Sequence, residues 1–106
     1  MRNELRQYQV IPLQFVIYDE DDELVNINTA TAMWVNHIKP DSTTGQWVGG
    51  FTGQGGIDGI VQYITLITDL DQLGDWQFQA YAVVGGVTYP SDMVNERIYP
   101  NITVTP

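Results

Sequence analysis

Few residues in this chain could carry acid–base or nucleophilic chemistry. Its 106 residues include one histidine, His37, two serines, Ser42 and Ser91, and no cysteine. A serine nucleophile needs a histidine and an acid within hydrogen-bond reach. His37 falls inside an alternating, strand-like stretch and neither serine sits in a nucleophile turn, so His37 reads as a structural strand residue. The lack of cysteine excludes thiolate nucleophiles, thiolate metal sites and disulfides.

Carboxylates are abundant. The run Asp19-Glu20-Asp21-Asp22-Glu23 offers oxygen ligands to a hard cation such as calcium. It departs from the helix–loop–helix calcium pattern: Leu24 stands where that loop needs glycine, and Ala30 where it needs the bidentate glutamate. The run is therefore expected to be a solvated turn. Asp69, Asp71 and Asp75 form a second cluster, with Asp69 and Asp71 expected in corner and capping roles. Two carboxylates can hydrolyse a glycoside. Among 13 acidic residues, however, a close pair carries no information. The connections are also too short to build a cleft, so a small hydrolase is the weakest of three functional readings. "VGGFTGQGG" is not followed by a helix or a lysine and does not cradle phosphate. Asn101-Ile102-Thr103 matches a glycosylation acceptor only formally, and no cofactor is expected.

Charge narrows the partners. The formal net charge is −9, and the only cations are Arg2, Arg6, Lys39 and Arg97. Four positive charges neutralise few phosphates, so nucleic acid is disfavoured, as is an anionic membrane. No apolar run approaches the ~20 residues that span a bilayer. "MRNELRQYQV" lacks the apolar core of a signal peptide, so synthesis in the cytoplasm without encoded export is expected. Three Trp and six Tyr are more than a core of this size needs. Trp47, near the Gly-rich turn, and Tyr99, beside Pro100, are candidate contact residues, since aromatics anchor interfaces. Arg2 and Arg6 lie in a candidate N-terminal arm over residues 1–7.

The elements that must position these residues are strands. "YQVIPLQFVIY" alternates Ile11, Leu13, Phe15 and Ile17 against Val10, Gln14, Val16 and Tyr18, and Pro12 suggests an edge strand or a bulge. "TATAMWVNHIKPD" is a second strand, open to burial of either Met33, Val35 and His37 or Ala32, Trp34, Asn36 and Ile38. "QWVGGF" and "IDGIVQYITLI" follow as further strands. Gly85-Gly86 joins the strand from Trp76 to Val84 to "VTYPSDMV" by a two-residue turn, and "RIYPNITVTP" is the last strand. About seven strands with turns every ~8–12 residues predict one antiparallel β-sandwich domain of the immunoglobulin type over residues 1–106. The only helical candidate is a short corner at 68–73, where Leu70 and Leu73 are expected to plug the core before Trp76 and Phe78 begin a central strand.

Several stretches, in order, carry a family resemblance: "ELRQYQVIPLQFVIYDEDDELVNI", "TATAMWVNHIKPD", "IDGIVQYITLITDLDQLGDWQFQAY" and "GGVTYPSDMV". Together they resemble small virion proteins of tailed bacteriophages, similar to the immunoglobulin-like N-terminal domain of siphophage baseplate upper proteins. "NINTATA" departs from the Leu-Thr-Gly that often precedes the second strand there. The resemblance implies a non-enzymatic, multi-copy structural protein of the virion, in the tail or baseplate or on the head exterior or connector. Its partners would be other virion proteins and copies of itself. A carbohydrate-binding module, with Trp47 and Tyr99 stacking on sugar rings, is the alternative.

Overall fold

The structure, a computed structural model, describes residues 5–100. Arg2 and the formal acceptor Asn101 therefore lie outside the described residues. Nine strands and no helix occur within them: β1 (Leu5–Arg6), β2 (Pro12–Val16), β3 (Ala32–Ile38), β4 (Thr44–Val48), β5 (Gly50–Phe51), β6 (Ile60–Ile64), β7 (Gly74–Val84), β8 (Val87–Pro90) and β9 (Val94–Tyr99). They form the expected all-β sandwich. The large sheet runs β1-β9-β7-β3-β4, with β8 also paired to β7, and the small sheet runs β2-β6-β5. One pairing corrects the antiparallel expectation. β1 runs parallel to β9, with Leu5 beside Ile98 and Arg6 beside Tyr99.

Period-2 patterning decides which side chains enter the core. Leu13, Phe15 and Ile17 from the β2 segment meet Val35 of β3, Val61 of β6, Trp76, Phe78, Ala80 and Ala82 of β7, and Ile98 of β9. On β3 the face bearing Val35 and His37 is the buried one. Trp34 points outward and stacks on Tyr81, 5.4 Å between centroids. Pro12 does lie on an edge strand, since β2 pairs only with β6. Gly85 and Gly86 both take positive φ, 60° and 79°, as a hairpin turn matched to strand twist requires.

Two sequence expectations need correction. The corner is a single turn, closed by the Asp69 N–H donating to the Leu66 carbonyl at 3.0 Å. A helix cannot continue from it, because the Leu70 and Asp71 carbonyls accept instead from Tyr8 N–H and Gln7 Nε2. With no helical spacing to align them, Leu70 is fully buried while Leu73 stays about half exposed. "QWVGGF" is likewise two strands rather than one. The chain leaves the large sheet after β4 and joins the small sheet at β5, crossing at Gly49. A Cβ at Gly49 would sit 2.6 Å from Val61 Cγ1, so the crossing needs a residue without a side chain.

Candidate functional site

The crossing at Gly49 places β4 against β6 and seals one flank of the sandwich with aromatic rings. Trp47 stacks on Tyr63 (4.6 Å, 11° between planes) and packs on His37 (4.2 Å) and Phe78 (5.9 Å). Trp76 lies 5.8 Å from both His37 and Phe78. The Tyr63 hydroxyl donates to Asp69 Oδ2, which also accepts the Leu66 N–H at 2.7 Å. Burial, together with that carboxylate, pushes the Tyr63 phenol well above its usual range.

Polar contacts latch the Lys39–Thr43 hairpin to the corner below this flank. Lys39 Nζ donates to Asp71 at 3.0 and 3.2 Å and sits 5.5 Å over the Trp76 ring. Gln72 donates to Asp41 Oδ2 at 2.8 Å, and Trp76 Nε1 donates to the Gln72 carbonyl at 2.9 Å. Asp41 also accepts from the Thr43 hydroxyl and amide, which lowers its pKa. The acidic tip 19–23 repeats the same backbone turn: Asp19 N–H to the Glu23 carbonyl matches Lys39 N–H to the Thr43 carbonyl. Asp19 Oδ1 accepts the Asp21 and Glu23 amides, so one carboxylate of the run shapes the turn itself. Among the described residues, no group of three or more His, Asp or Glu side chains is arranged to hold a metal ion.

His37 is buried, and its Nδ1 has no hydrogen-bond partner among the described residues. Burial, then the Lys39 charge, holds its pKa below the ordinary value and keeps the ring neutral. The Ser91 hydroxyl is committed to backbone groups, accepting from Ala80 N–H and donating to the Asp92 carbonyl, both at 2.9 Å. Ser42 is exposed at a hairpin tip. Each of these residues has a structural role, and together they form no nucleophile–base pair.

The candidate contact residues fall on opposite edges of the large sheet. Arg6 and Tyr99 are register partners on the β1–β9 side, and Arg6 Nη1 donates to the Pro100 carbonyl at 3.0 Å. Trp47 is on β4, the other edge, half-buried among rings. Sequence reading missed two surfaces. One is the outer face of the small sheet. There Pro12 pairs with Ile64, and Val10 and Leu66 continue the face one pair further, carried by the Thr65 N–H bond to the Ile11 carbonyl. Val10, Ile64 and Leu66 are 61, 55 and 63% exposed, and the face from Val10 to Val16 and from Ile60 to Leu66 carries no charged residue.

The other missed surface is the flank opposite Trp47, where β2 and β9 face each other without pairing. A groove of about 460 Å³ opens there, floored by Leu13, Phe15, Phe78 and Val94, with Leu5 and Glu96 beside it. A second hollow of about 230 Å³ extends it along Gln14, Phe15 and Val94 to Tyr18 and Ser91. An isolated bridge between Ile17 and Ser91 closes that end. Alternation in "PLQFV" was the one signal of this groove in the sequence, since it marked Leu13 and Phe15 as inward. Comparison of the chain with protein-family models, curated proteins and solved structures finds no match.

Proposed function

We propose that this protein is a non-enzymatic structural protein of a bacteriophage virion, present in several copies as an assembly module of the tail or baseplate or of the head exterior or connector. The phage assignment rests on the ordered resemblance set out above. The assembly role rests on one structural observation: the uncharged, largely apolar outer face of the small sheet, in a chain of net charge −9. Exposed apolar patches rimmed by polar residues mark contact surfaces. A standard interface buries about 800 Å² per partner, within reach of a domain this small. Free strand edges add a second mode of contact, because their backbone groups are already aligned for pairing.

The carbohydrate-binding alternative is weakened by the placement of its residues. Trp47 spends a ring face on Tyr63, and Tyr99 stands at the opposite edge of the sheet, so the two build no common platform. Mass spectrometry of purified virions, with copy number per particle, tests the proposal. Presence in multiples of six supports a tail position, and tens to hundreds of copies support the head. Absence from mature particles rejects it.

A further inference from the structure

On the outer face of the small sheet, apolar rows flank a central pair of amides. The rows are Pro12 beside Ile64, Gln14 beside Gln62 and Val16 beside Ile60, with Val10 and Leu66 beyond the first. Gln14 Nε2 donates to Gln62 Oε1 at 2.8 Å. That bond leaves the Gln62 amide nitrogen as a donor and the Gln14 amide oxygen as an acceptor. Neither has a partner among the described residues. An apolar partner would bury both unpaired, and a charged partner would meet no counter-charge on this face.

The two leftover groups complement each other. A second copy related by a two-fold axis supplies both at once. Its Gln14 oxygen accepts from this Gln62 nitrogen, its Gln62 nitrogen donates to this Gln14 oxygen, and the four amides close into a ring. Reciprocal contacts of this kind are what a two-fold interface generates.

Charge points to the same occupant. Two chains of net charge −9 repel wherever their acidic residues face each other. No charged residue lies from Val10 to Tyr18 or from Gly59 to Thr68. The carboxylates at 19–23 follow directly on Tyr18, at one end of the face. If the two β2 strands run antiparallel, these acidic tips go to opposite ends of the pair.

We infer that two copies of this chain pack small sheet on small sheet, about a two-fold axis at the Gln14–Gln62 row, with their β2 strands antiparallel. The inference rests on the assembly reading and names one partner in it as a second copy. The face is three strands wide, so the pair is a weak one that forms at high concentration.

Sedimentation equilibrium of the full chain, from about 10 µM to about 1 mM, is expected to show monomer and dimer. Raising the salt should tighten the dimer by screening the repulsion. Ile64→Lys and Gln62→Glu should each weaken it at least tenfold with circular dichroism unchanged. Val48→Lys, matched in charge but on the outer face of the large sheet, should leave it within twofold. The chain has no cysteine, so single introduced cysteines report contacts cleanly. Gln14→Cys should cross-link to a dimer through a bismaleimide reaching about 10 Å, the spacing of packed sheets. Glu20→Cys at the acidic tip should not. A chain that stays monomeric at about 1 mM overturns the inference. So does a dimer that Ile64→Lys and Gln62→Glu leave within twofold, or one in which Glu20→Cys cross-links as well as Gln14→Cys. Virions that contain a chain monomeric in solution reject the pair alone. A dimer formed by a chain absent from virions rejects the virion assignment alone.

Discussion

The two flanks of the sandwich solve the same problem differently. Both must close the gap between a large and a small sheet. On the β4 side the backbone itself crosses at Gly49, and Trp47, Tyr63, His37 and Phe78 fill the space behind it. On the β2–β9 side the backbone also crosses, between β1 and β2, and the Ile17–Ser91 bridge joins the layers, but the groove over Leu13, Phe15 and Val94 is left unfilled. Packed aromatic area is worth most where water is fully excluded. The sealed flank should therefore carry more of the stability than the open one.

The largest effect should come from truncating the sealed flank. Trp47→Ala is expected to cost about 3–5 kcal/mol in urea unfolding, against about 1 kcal/mol for Val94→Ala on the open side. Equal losses would break the comparison. Next comes Gly45→Ala, whose Cβ would lie 2.5 Å from His37 Nε2. Overpacking of this kind costs about 1–3 kcal/mol. The loss should shrink in a His37→Ala background, measured as a double-mutant cycle. Tyr63→Phe removes one hydrogen bond to Asp69 but leaves the Leu66 amide in place. About 1 kcal/mol is expected.

The smallest effect is a pH slope. His37 titrates below its ordinary 6.5 in the folded chain. Between that value and the lower folded pKa, the unfolded chain binds the proton and the folded chain does not. Stability should therefore fall as pH drops below about 6.5 and level off once the folded ring protonates. Denaturant midpoints across pH 7.5 to 5 would show the slope, and His37→Gln should flatten it. A slope that survives this substitution would assign it to other groups.

Much of the fold was legible because strand signals are local. Alternation placed Leu13, Phe15, Trp76 and Phe78 inward, Gly85-Gly86 marked a hairpin, and Pro12 marked an edge. The errors came where distant segments decide. Thr68–Leu73 resembles a helix start, yet its carbonyls are claimed by Gln7 and Tyr8, more than 60 positions earlier. "QWVGGF" resembles one strand, and only its two different partners, β3 and β6, divide it. Trp47 neighbours glycines, and one of them, Gly49, lets the chain cross between sheets and half-bury the ring. The open groove was illegible for a related reason. Neither β2 nor β9 looks incomplete alone, and the groove exists only where the two fail to pair.

The parallel pairing of β1 with β9 has a mechanical consequence. Tension that enters through Leu5 and leaves through Tyr99 pulls two neighbouring strands in opposite directions along their shared axis. Their backbone bonds are then loaded together in shear, instead of opening one at a time like a zipper.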